Sequence, residues 1–187
     1  MSSVRLLVLG AILKRGTSYG YAVLGDIASW VAEAWTNVKP GSVYHALEKL
    51  EAQGMLAAVA SDQGVKPGPA RREYTVTEKG EAEFMELLEQ ALVSFDIQQF
   101  SAGIAFMHML TREKLQALLE KRIGALEASA RFLEGLPVDE FSPDPSKNPE
   151  LVGIWAGYVR NEAATTRRIL GRVREGKYKF RSETEGE

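Results

Sequence analysis

Three short apolar patterns of helical period occupy the first 54 residues of the chain. The spacing of apolar side chains predicts a first helix over residues 4–14, which Gly16 ends. Ser18 is the expected N-cap of a second helix, whose N-terminal N–H groups could hold a phosphate. The apolar face of this second helix comprises Leu24, Ile27, Ala28, Val31 and Trp35.

A third helix is predicted from Pro40 to Gln53, with Gly54 as its C-terminal cap. Its inward face is apolar and comprises Val43, Leu47 and Leu50. Its outward face is small or polar and comprises Gly41, His45 and Glu48, flanked by Ser42, Tyr44 and Lys49. The outward face is therefore the part of this helix that a partner can reach.

The pattern then changes from helical to β-like. Residues 56–61 form a short apolar segment, and residues 71–77, RREYTVT, are rich in β formers. The Gly- and Pro-rich stretch DQGVKPGPA between them predicts a turn, so the two segments form a small two-stranded hairpin, the wing. Thr77 can cap the helix that follows.

The rest of the chain is predicted to be helical, with a proline-rich loop at 135–150. Thr111 caps a long helix in which Leu119, Leu126 and Leu133 recur every seven residues, as in a coiled-coil seam. A last helix carries an apolar stripe of Leu151, Ile154, Trp155, Tyr158, Ile169 and Val173. Glu162 and Thr165 interrupt this stripe, and Glu162 is expected to pair with an interface arginine such as Arg122.

Composition narrows the possible chemistry. The 187 residues include no cysteine and two histidines, which excludes a disulfide framework, a thiolate nucleophile and a cysteine-based zinc site. We expect no metal, no cofactor and no enzymatic activity, because no pairing of nucleophile and base occurs at a known spacing. The apolar run at residues 6–13 is too short to span a bilayer and lacks a cleavage signal, so a cytoplasmic location without membrane contact is expected.

Charge divides the chain into two modules. The net charge is −2, but residues 1–80 carry nine Lys or Arg and seven Asp or Glu, a net of +2. Residues 81–187 carry fourteen and eighteen, a net of −4. Three helices followed by a hairpin have the order of a winged helix-turn-helix. The predicted fold is therefore mainly α, with a winged helix-turn-helix domain at 1–90 and an α-helical dimerisation domain at 91–187.

Three sequence motifs resemble the PadR family of bacterial transcriptional regulators. They are Tyr-Gly-Tyr at 19–21, the run GSVYHALEKLEAQG at 41–54 and the run YTVTEKG at 74–80. The resemblance departs from the family at His45, where many relatives have proline. It implies a homodimer that binds operator DNA, usually as a repressor, and some members are released by small aromatic compounds. A third helix in the major groove and a wing on the flanking backbone would make the contact.

The candidate DNA contacts lie on the third helix, the wing and the start of the second helix. They are Ser18, Tyr19, Tyr21, Lys39, Ser42, Tyr44, His45, Lys49, Lys66, Arg71 and Arg72. Several of them also have a simpler interpretation. Ser18 could be only a cap, one of the two tyrosines could pack on the first helix, and Tyr44 could be a half-buried support. Solvated surface groups are the alternative for His45, Lys66, Arg71 and Arg72.

The candidates for pairing two protomers are Leu119, Ile123, Leu126, Leu133, Trp155, Tyr158 and Ile169. Trp30, Phe100, Phe106 and Trp155 could line a cavity for an aromatic effector, or they could simply be core and interface residues. An alternative function also stays open. Acidic Glu48 and Glu51 on the third helix fit a ligand-sensing or protein-interaction module whose winged domain no longer binds DNA.

Overall fold

A computed structural model describes residues 2–30, 38–59 and 68–184. In order, these form α1 (Ser2–Arg15), β1 (Thr17–Tyr19), α2 (Gly20–Ser29), α3 (Pro40–Ala52), β2 (Leu56–Ala58), β3 (Glu73–Val76), α4 (Glu78–Val93), α5 (Ile97–Phe106), α6 (Arg112–Glu134), α7 (Pro149–Arg174) and α8 (Arg181–Thr184). The predicted fold class, mainly helical with a small β-wing, is confirmed. Val31, Trp35 and Lys66, which figure in the predictions, lie outside the described residues.

The boundaries of α3, α4 and α6 that capping residues predict are confirmed. Helix α3 begins at Pro40, and Gly54 follows it with a φ of +71°, a left-handed conformation that glycine adopts without strain. The hydroxyls of Thr77 and Thr111 accept hydrogen bonds from the third N–H of α4 and of α6, at 3.1 and 3.2 Å. These local signals therefore fix where the helices start and stop.

The sheet has three strands rather than the two that were predicted. Strand β3 lies between β1 and β2 and runs antiparallel to both. Ser18 of β1 is paired with Tyr74 of β3, and the side chain of Ser18 is buried. The N-cap of α2 is instead Tyr19, which makes no side-chain capping bond. The N-cap prediction for Ser18 is wrong because the residue is taken up by strand pairing.

The chain divides into two compact units. The first comprises residues 1–91 and 96–106, and the second comprises residues 92–95 and 107–187. Helix α5 thus belongs with α1 to α3 and most of α4, whereas residues 92–95, which include the last two residues of α4, belong with α6 and α7. That DNA binding and dimerisation divide at residue 90 stays a prediction.

Helix α1 is the centre of the first unit. Residues 6–12 are all buried, as expected of a helix that is apolar on every side. Gly10 faces the ring of Phe106 on α5, and a Cβ at Gly10 would lie only 2.3 Å from that ring. Phe84 and Trp30 each pack edge-on against Phe106.

No helix of the described residues is long and apolar enough to cross a membrane.

Helices α6 and α7 form an antiparallel pair in the second unit. Its apolar centre comprises Leu126, Ala130, Val159 and Ala163, with Leu133 and Tyr158 packed against it. Three ion pairs follow the edge of the pair: Glu120–Arg174, Glu127–Arg167 and Glu134–Arg160. In this charge ladder α6 supplies every acid and α7 every base, each at a spacing of seven residues.

Two of the three heptad leucines of α6 are buried within a single chain. Leu119 and Leu126 are fully buried in the single protomer, so the interpretation of these two as contacts to a second protomer is corrected. A heptad pattern identifies a seam without identifying the helix that covers it. Ile123, Leu133, Tyr158 and Ile169 are half-buried, and Trp155 is 52% exposed.

A polar cluster lies inside the α6–α7 pair. Arg122 is fully buried, and its Nη2 donates to Glu162 Oε2 at 2.7 Å. The pairing predicted for these two residues is confirmed. Arg122 also donates to the hydroxyl of Thr166 and, at 2.9 Å, to the carbonyl oxygen of Ser94. The hydroxyl of Tyr158 donates to the carbonyl oxygen of Phe95 at 2.6 Å. Residues 92–95 are therefore attached to both helices of the pair.

The buried face of α7 is displaced from the predicted stripe. The buried residues are Ala156, Val159, Glu162, Ala163, Thr166, Leu170 and Val173. Leu151, Ile154 and Trp155 are exposed. The packed face of α7 thus combines small and medium apolar residues with a polar cluster. Val173 of the predicted stripe is buried, Tyr158 and Ile169 are half-buried, and the three large residues at the start of the stripe lie outside the packed face.

Candidate nucleic-acid interface

Helix α3 has the inside and the outside that its sequence predicts. Val43, Leu47 and Leu50 have no exposed surface, so they fix the helix on the core of the first unit. On the opposite side Gly41, His45 and Glu48 are exposed. A glycine at the second position of the helix keeps the entrance to this face free of a side chain, which allows a close approach by a partner.

The candidate contacts on α3 differ in how free their polar groups are. Lys39 and Lys49 are exposed, and Tyr44 is half-buried. The hydroxyl of Ser42 accepts from the N–H of Lys39 at 3.1 Å and donates to its carbonyl oxygen at 2.6 Å. Ser42 therefore holds the first turn of the helix, while Lys39, His45 and Lys49 carry the accessible polar groups.

The start of α2 is joined to the wing. The N–H of Gly20 donates to the carbonyl oxygen of Arg72 at 3.1 Å, and the N–H of Tyr21 donates to that of Ala70 at 2.9 Å. The prediction that the N-terminal N–H groups of this helix hold a phosphate is wrong for these first two, because backbone carbonyls already occupy them.

Tyr19 and Tyr21 form an exposed aromatic pair at the same place. Their rings are stacked, with centroids 5.6 Å apart, and both side chains are exposed. The two rings pack on each other, and that one of them also packs on the first helix stays a prediction. Ser18 precedes Tyr19 in β1 and its side chain is buried, so Ser18 is not on this surface.

Arg71 and Arg72 of the wing have different surroundings. Arg71 is exposed. The guanidinium of Arg72 forms an ion pair with the carboxylate of Glu51, near the end of α3. The phenol of Tyr74 lies beside this pair, and burial raises its pKa, with the carboxylates of Glu51 and Glu48 acting in the same direction and Arg72 against them. The structure therefore brings Arg71 alone of the two to the open surface.

A comparison with protein families identifies this part of the chain. The model of the transcriptional regulator PadR-like family matches residues 8–86, which run from α1 into α4. Over these residues the chain is similar to the PadR-like family. No curated protein matches the chain in sequence.

Solved structures of PadR from Bacillus subtilis are similar to the chain over most of its length. PadR in complex with operator DNA has 21% identity, with 90% of this chain and 98% of that chain covered and a TM-score of 0.38. PadR in complex with p-coumaric acid has 18% identity, with coverage of 91% and 98% and a TM-score of 0.37.

Two glycines of the PadR-like motifs lie where backbone passes backbone. A Cβ at Gly20 would lie 2.0 Å from the carbonyl oxygen of Pro69 in the wing, and a Cβ at Gly80 would lie 2.1 Å from that of Met55. Any side chain would push these segments apart. The two glycines therefore set how closely the wing and the α3–β2 turn approach their neighbours.

The four effector candidates do not all lie in one unit. Trp30 and Phe106 pack edge-on in the first unit, where Phe100 and Phe106 are buried. The Nζ of Lys14 lies 5.9 Å from the ring centre of Trp30. Trp155 belongs to the second unit and packs edge-on against Tyr158. Trp30, half-buried at the edge of the aromatic cluster, is the one member that combines a partly open ring with a cationic neighbour.

The sequence interpretation missed the pairing of Glu51 with Arg72. It treated Glu51 as an uncompensated acid on the recognition helix and Arg72 as a phosphate contact. Opposite charges at the end of a helix and the base of the wing were a signal for the pair, but the sequence pattern alone does not give the distance between the two side chains.

Proposed function

We propose that the chain is a sequence-specific DNA-binding regulator that acts as a homodimer, in the role of a repressor. The observation that carries the proposal is the exposed face of α3, with Lys39, His45 and Lys49, on a helix whose other side is fully buried. The similarity of residues 8–86 to the PadR-like family supports it. In this proposal α3 enters the major groove, and Arg71 and the exposed Tyr19–Tyr21 pair reach the flanking backbone.

Selection of bound DNA from a random pool with the full chain tests the proposal. We expect a pseudo-palindromic site whose half-sites lie about one helical turn apart, or a multiple of it, because a two-fold dimer presents α3 twice. Binding should weaken steeply with salt, since each neutralised phosphate releases counterions. Recovery of no preferred sequence would contradict the proposal and favour the alternative, a ligand-sensing or protein-interaction module.

Residue contacts can be assigned with single substitutions. His45→Ala and Tyr44→Phe should change the preferred sequence, because these groups lie on the face of α3 that would meet base edges. Lys49→Gln should weaken binding to all sequences similarly, as expected of a phosphate contact. Lys121→Gln on exposed α6 removes the same charge outside the proposed contact surface and serves as the matched control.

The dimer surface that we propose is the first half of α7. Ile154 is 67% exposed, and Leu151 and Trp155 are exposed beside it. Large apolar side chains in a continuous exposed patch are typical of interaction sites. The fully buried Leu119 and Leu126 would support this surface from within the protomer, whereas Trp155 and the half-buried Tyr158 would contribute to it directly.

Sedimentation of the purified chain tests the dimer surface. Ile154→Glu should give a monomer that unfolds at the same urea concentration as the wild-type dimer diluted to monomer, and it should lose most of its operator affinity. Phe141→Glu is the matched control, because Phe141 is 93% exposed on the proline-rich loop. Equal effects of the two substitutions would contradict the proposed surface.

A small aromatic effector is the regulatory part of the proposal. Its candidate site is the aromatic cluster of Trp30, Phe100 and Phe106, with Lys14 as a neighbour for an anionic group. Titration with p-coumaric acid while tryptophan fluorescence is followed provides a first probe. Release of operator DNA by the compound, abolished in Trp30→Leu, would support the site. Unchanged fluorescence and binding would favour the reading of these residues as core packing alone.

A further inference from the structure

Arg72 is attached to three elements of the first unit. Its guanidinium pairs with Glu51 of α3, and its carbonyl oxygen accepts the N–H of Gly20 at the start of α2. The residue itself leads directly into β3. The two side chains of the ion pair are only 19% and 28% exposed. Arg72 therefore lies where α3, α2 and the wing meet.

The neighbouring arginine provides a comparison within the same chain. Arg71 carries the same charge one residue earlier, and its side chain is exposed. A guanidinium that is held by a carboxylate has to give up a strong, charge-assisted bond before it can bind a phosphate. An exposed guanidinium does not have this cost, so the two arginines cannot be equivalent toward DNA.

The charge of Glu51 gives the pair a second consequence. An unpaired carboxylate on the recognition helix would repel the phosphates of an approaching duplex. Pairing with Arg72 compensates that charge while holding the start of β3 against α3. The same two side chains thus remove a repulsion between Glu51 and the phosphates and fix the distance between α3 and the start of β3.

We infer that Arg72 is a positioning residue for DNA recognition and not a phosphate contact: through Glu51 it fixes the wing on α3, so that base-reading and backbone-contacting groups meet the duplex in one geometry. This inference rests on the proposed function. Loss of the pair then reduces discrimination between operator and random DNA, while the number of phosphates that the protein neutralises stays the same.

The test measures operator and random-sequence affinity of the full chain as a function of potassium chloride concentration. Arg71→Gln should lower the slope of log affinity against log salt by about 0.9, as expected for one phosphate contact. Arg72→Gln should leave that slope unchanged and reduce the ratio of operator to random affinity about tenfold, the order of one mismatched base pair. Unfolding in urea confirms that each variant is folded under the assay conditions.

The exchanged pair, Arg72→Glu with Glu51→Arg, separates positioning from contact. It keeps the ion pair and the net charge, so it should restore most of the discrimination that Arg72→Glu alone loses. A phosphate contact at position 72 would not be restored by a guanidinium at position 51. Arg72→Met, which removes the charge and keeps an aliphatic side chain, is the second variant if Arg72→Gln does not fold, and it should also leave the slope unchanged.

Two results would overturn the inference. One is a slope lowered by Arg72→Gln as much as by Arg71→Gln, and the other is an exchanged pair that stays as poor as Arg72→Glu. Either result with wild-type operator binding intact leaves the proposed function standing. A wild-type chain that binds no DNA would instead overturn the proposed function and the inference together, so the two failures are distinguishable.

Discussion

At the scale of single residues, the absence of a side chain matters as much as any functional group. Gly20 begins α2 where the carbonyl oxygen of Pro69 leaves no space for a Cβ. Gly25 lies in the same helix with nothing within 4 Å of a Cβ. The sequence shows both as glycine, and only the approach of the wing distinguishes them.

Gly20→Ala should destabilise the protein by about 1–3 kcal/mol, because the new Cβ would meet backbone that no side-chain rotation can move. Gly25→Ala should stabilise it by about 1 kcal/mol, the gain in helix propensity at an exposed interior position. Urea unfolding followed by circular dichroism measures both. Equal changes in the free energy of unfolding would contradict the close approach at Gly20.

The buried ion pair in α6 and α7 was predictable for a different reason. Glu162 interrupts an apolar stripe and Arg122 lies in the leucine-rich helix α6, so each needed a partner of opposite charge. Its connection to Ser94 was not predictable, because residues 92–95 are distant in sequence from both helices.

Glu162→Gln should cost about 3–5 kcal/mol of unfolding free energy, since it leaves the buried Arg122 without a counter-charge. Glu127→Gln breaks an exposed pair of the charge ladder and should cost less than about 1 kcal/mol. Unfolding curves in urea at the same pH provide the comparison. A similar loss for the two variants would mean that the Arg122 guanidinium is reached by water.

At the scale of elements, capping residues and apolar periodicity predicted the helices well. The short strand β1 was missed because three residues, TSY, carry too little pattern to separate a strand from a helix start. The face of α7 was displaced because large apolar residues dominate a sequence pattern, whereas close helix packing favours small ones such as Ala156 and Ala163. The contact of α5 with α1 depends on another small residue, Gly10.

Gly10→Ala should destabilise the contact between α1 and α5 by about 1–3 kcal/mol, because its Cβ would overlap the ring of Phe106. Phe106→Leu in the same chain should recover part of that loss by removing the ring. A double-mutant cycle in urea unfolding gives the interaction energy between the two positions. Strictly additive effects would show that the two side chains do not meet.

At the scale of the whole molecule, the sequence predicted a winged helix-turn-helix followed by helices, and the three motifs indicated the family. It did not predict that the first unit is discontinuous, with α5 added after residues 92–95. The sequence pattern shows that α5 is apolar, but an apolar helix can be buried in either unit. Which unit takes it depends on the shape of the surface that each unit offers. The PadR-like match itself ends at residue 86, before α5 begins.

A fragment of residues 1–106 should therefore be more stable than one of residues 1–93. The shorter fragment lacks α5, so it leaves the apolar side of α1 at Gly10 in contact with water. Thermal unfolding and binding of a hydrophobic dye compare the two fragments. Equal melting temperatures and equal dye binding would contradict the role of α5 in the first unit.

The charge ladder has a consequence for how two copies of the chain recognise each other. The proposed homodimer brings two acidic edges of α6 and two basic edges of α7 into one particle. Alignment of an α6 edge with another α6 edge would place glutamates opposite glutamates, and two α7 edges would place arginines opposite arginines. Like charges at matched spacing disfavour such pairings. The ladder thereby favours pairing of α6 with α7, and the apolar patch at Ile154 remains the proposed surface for joining two protomers.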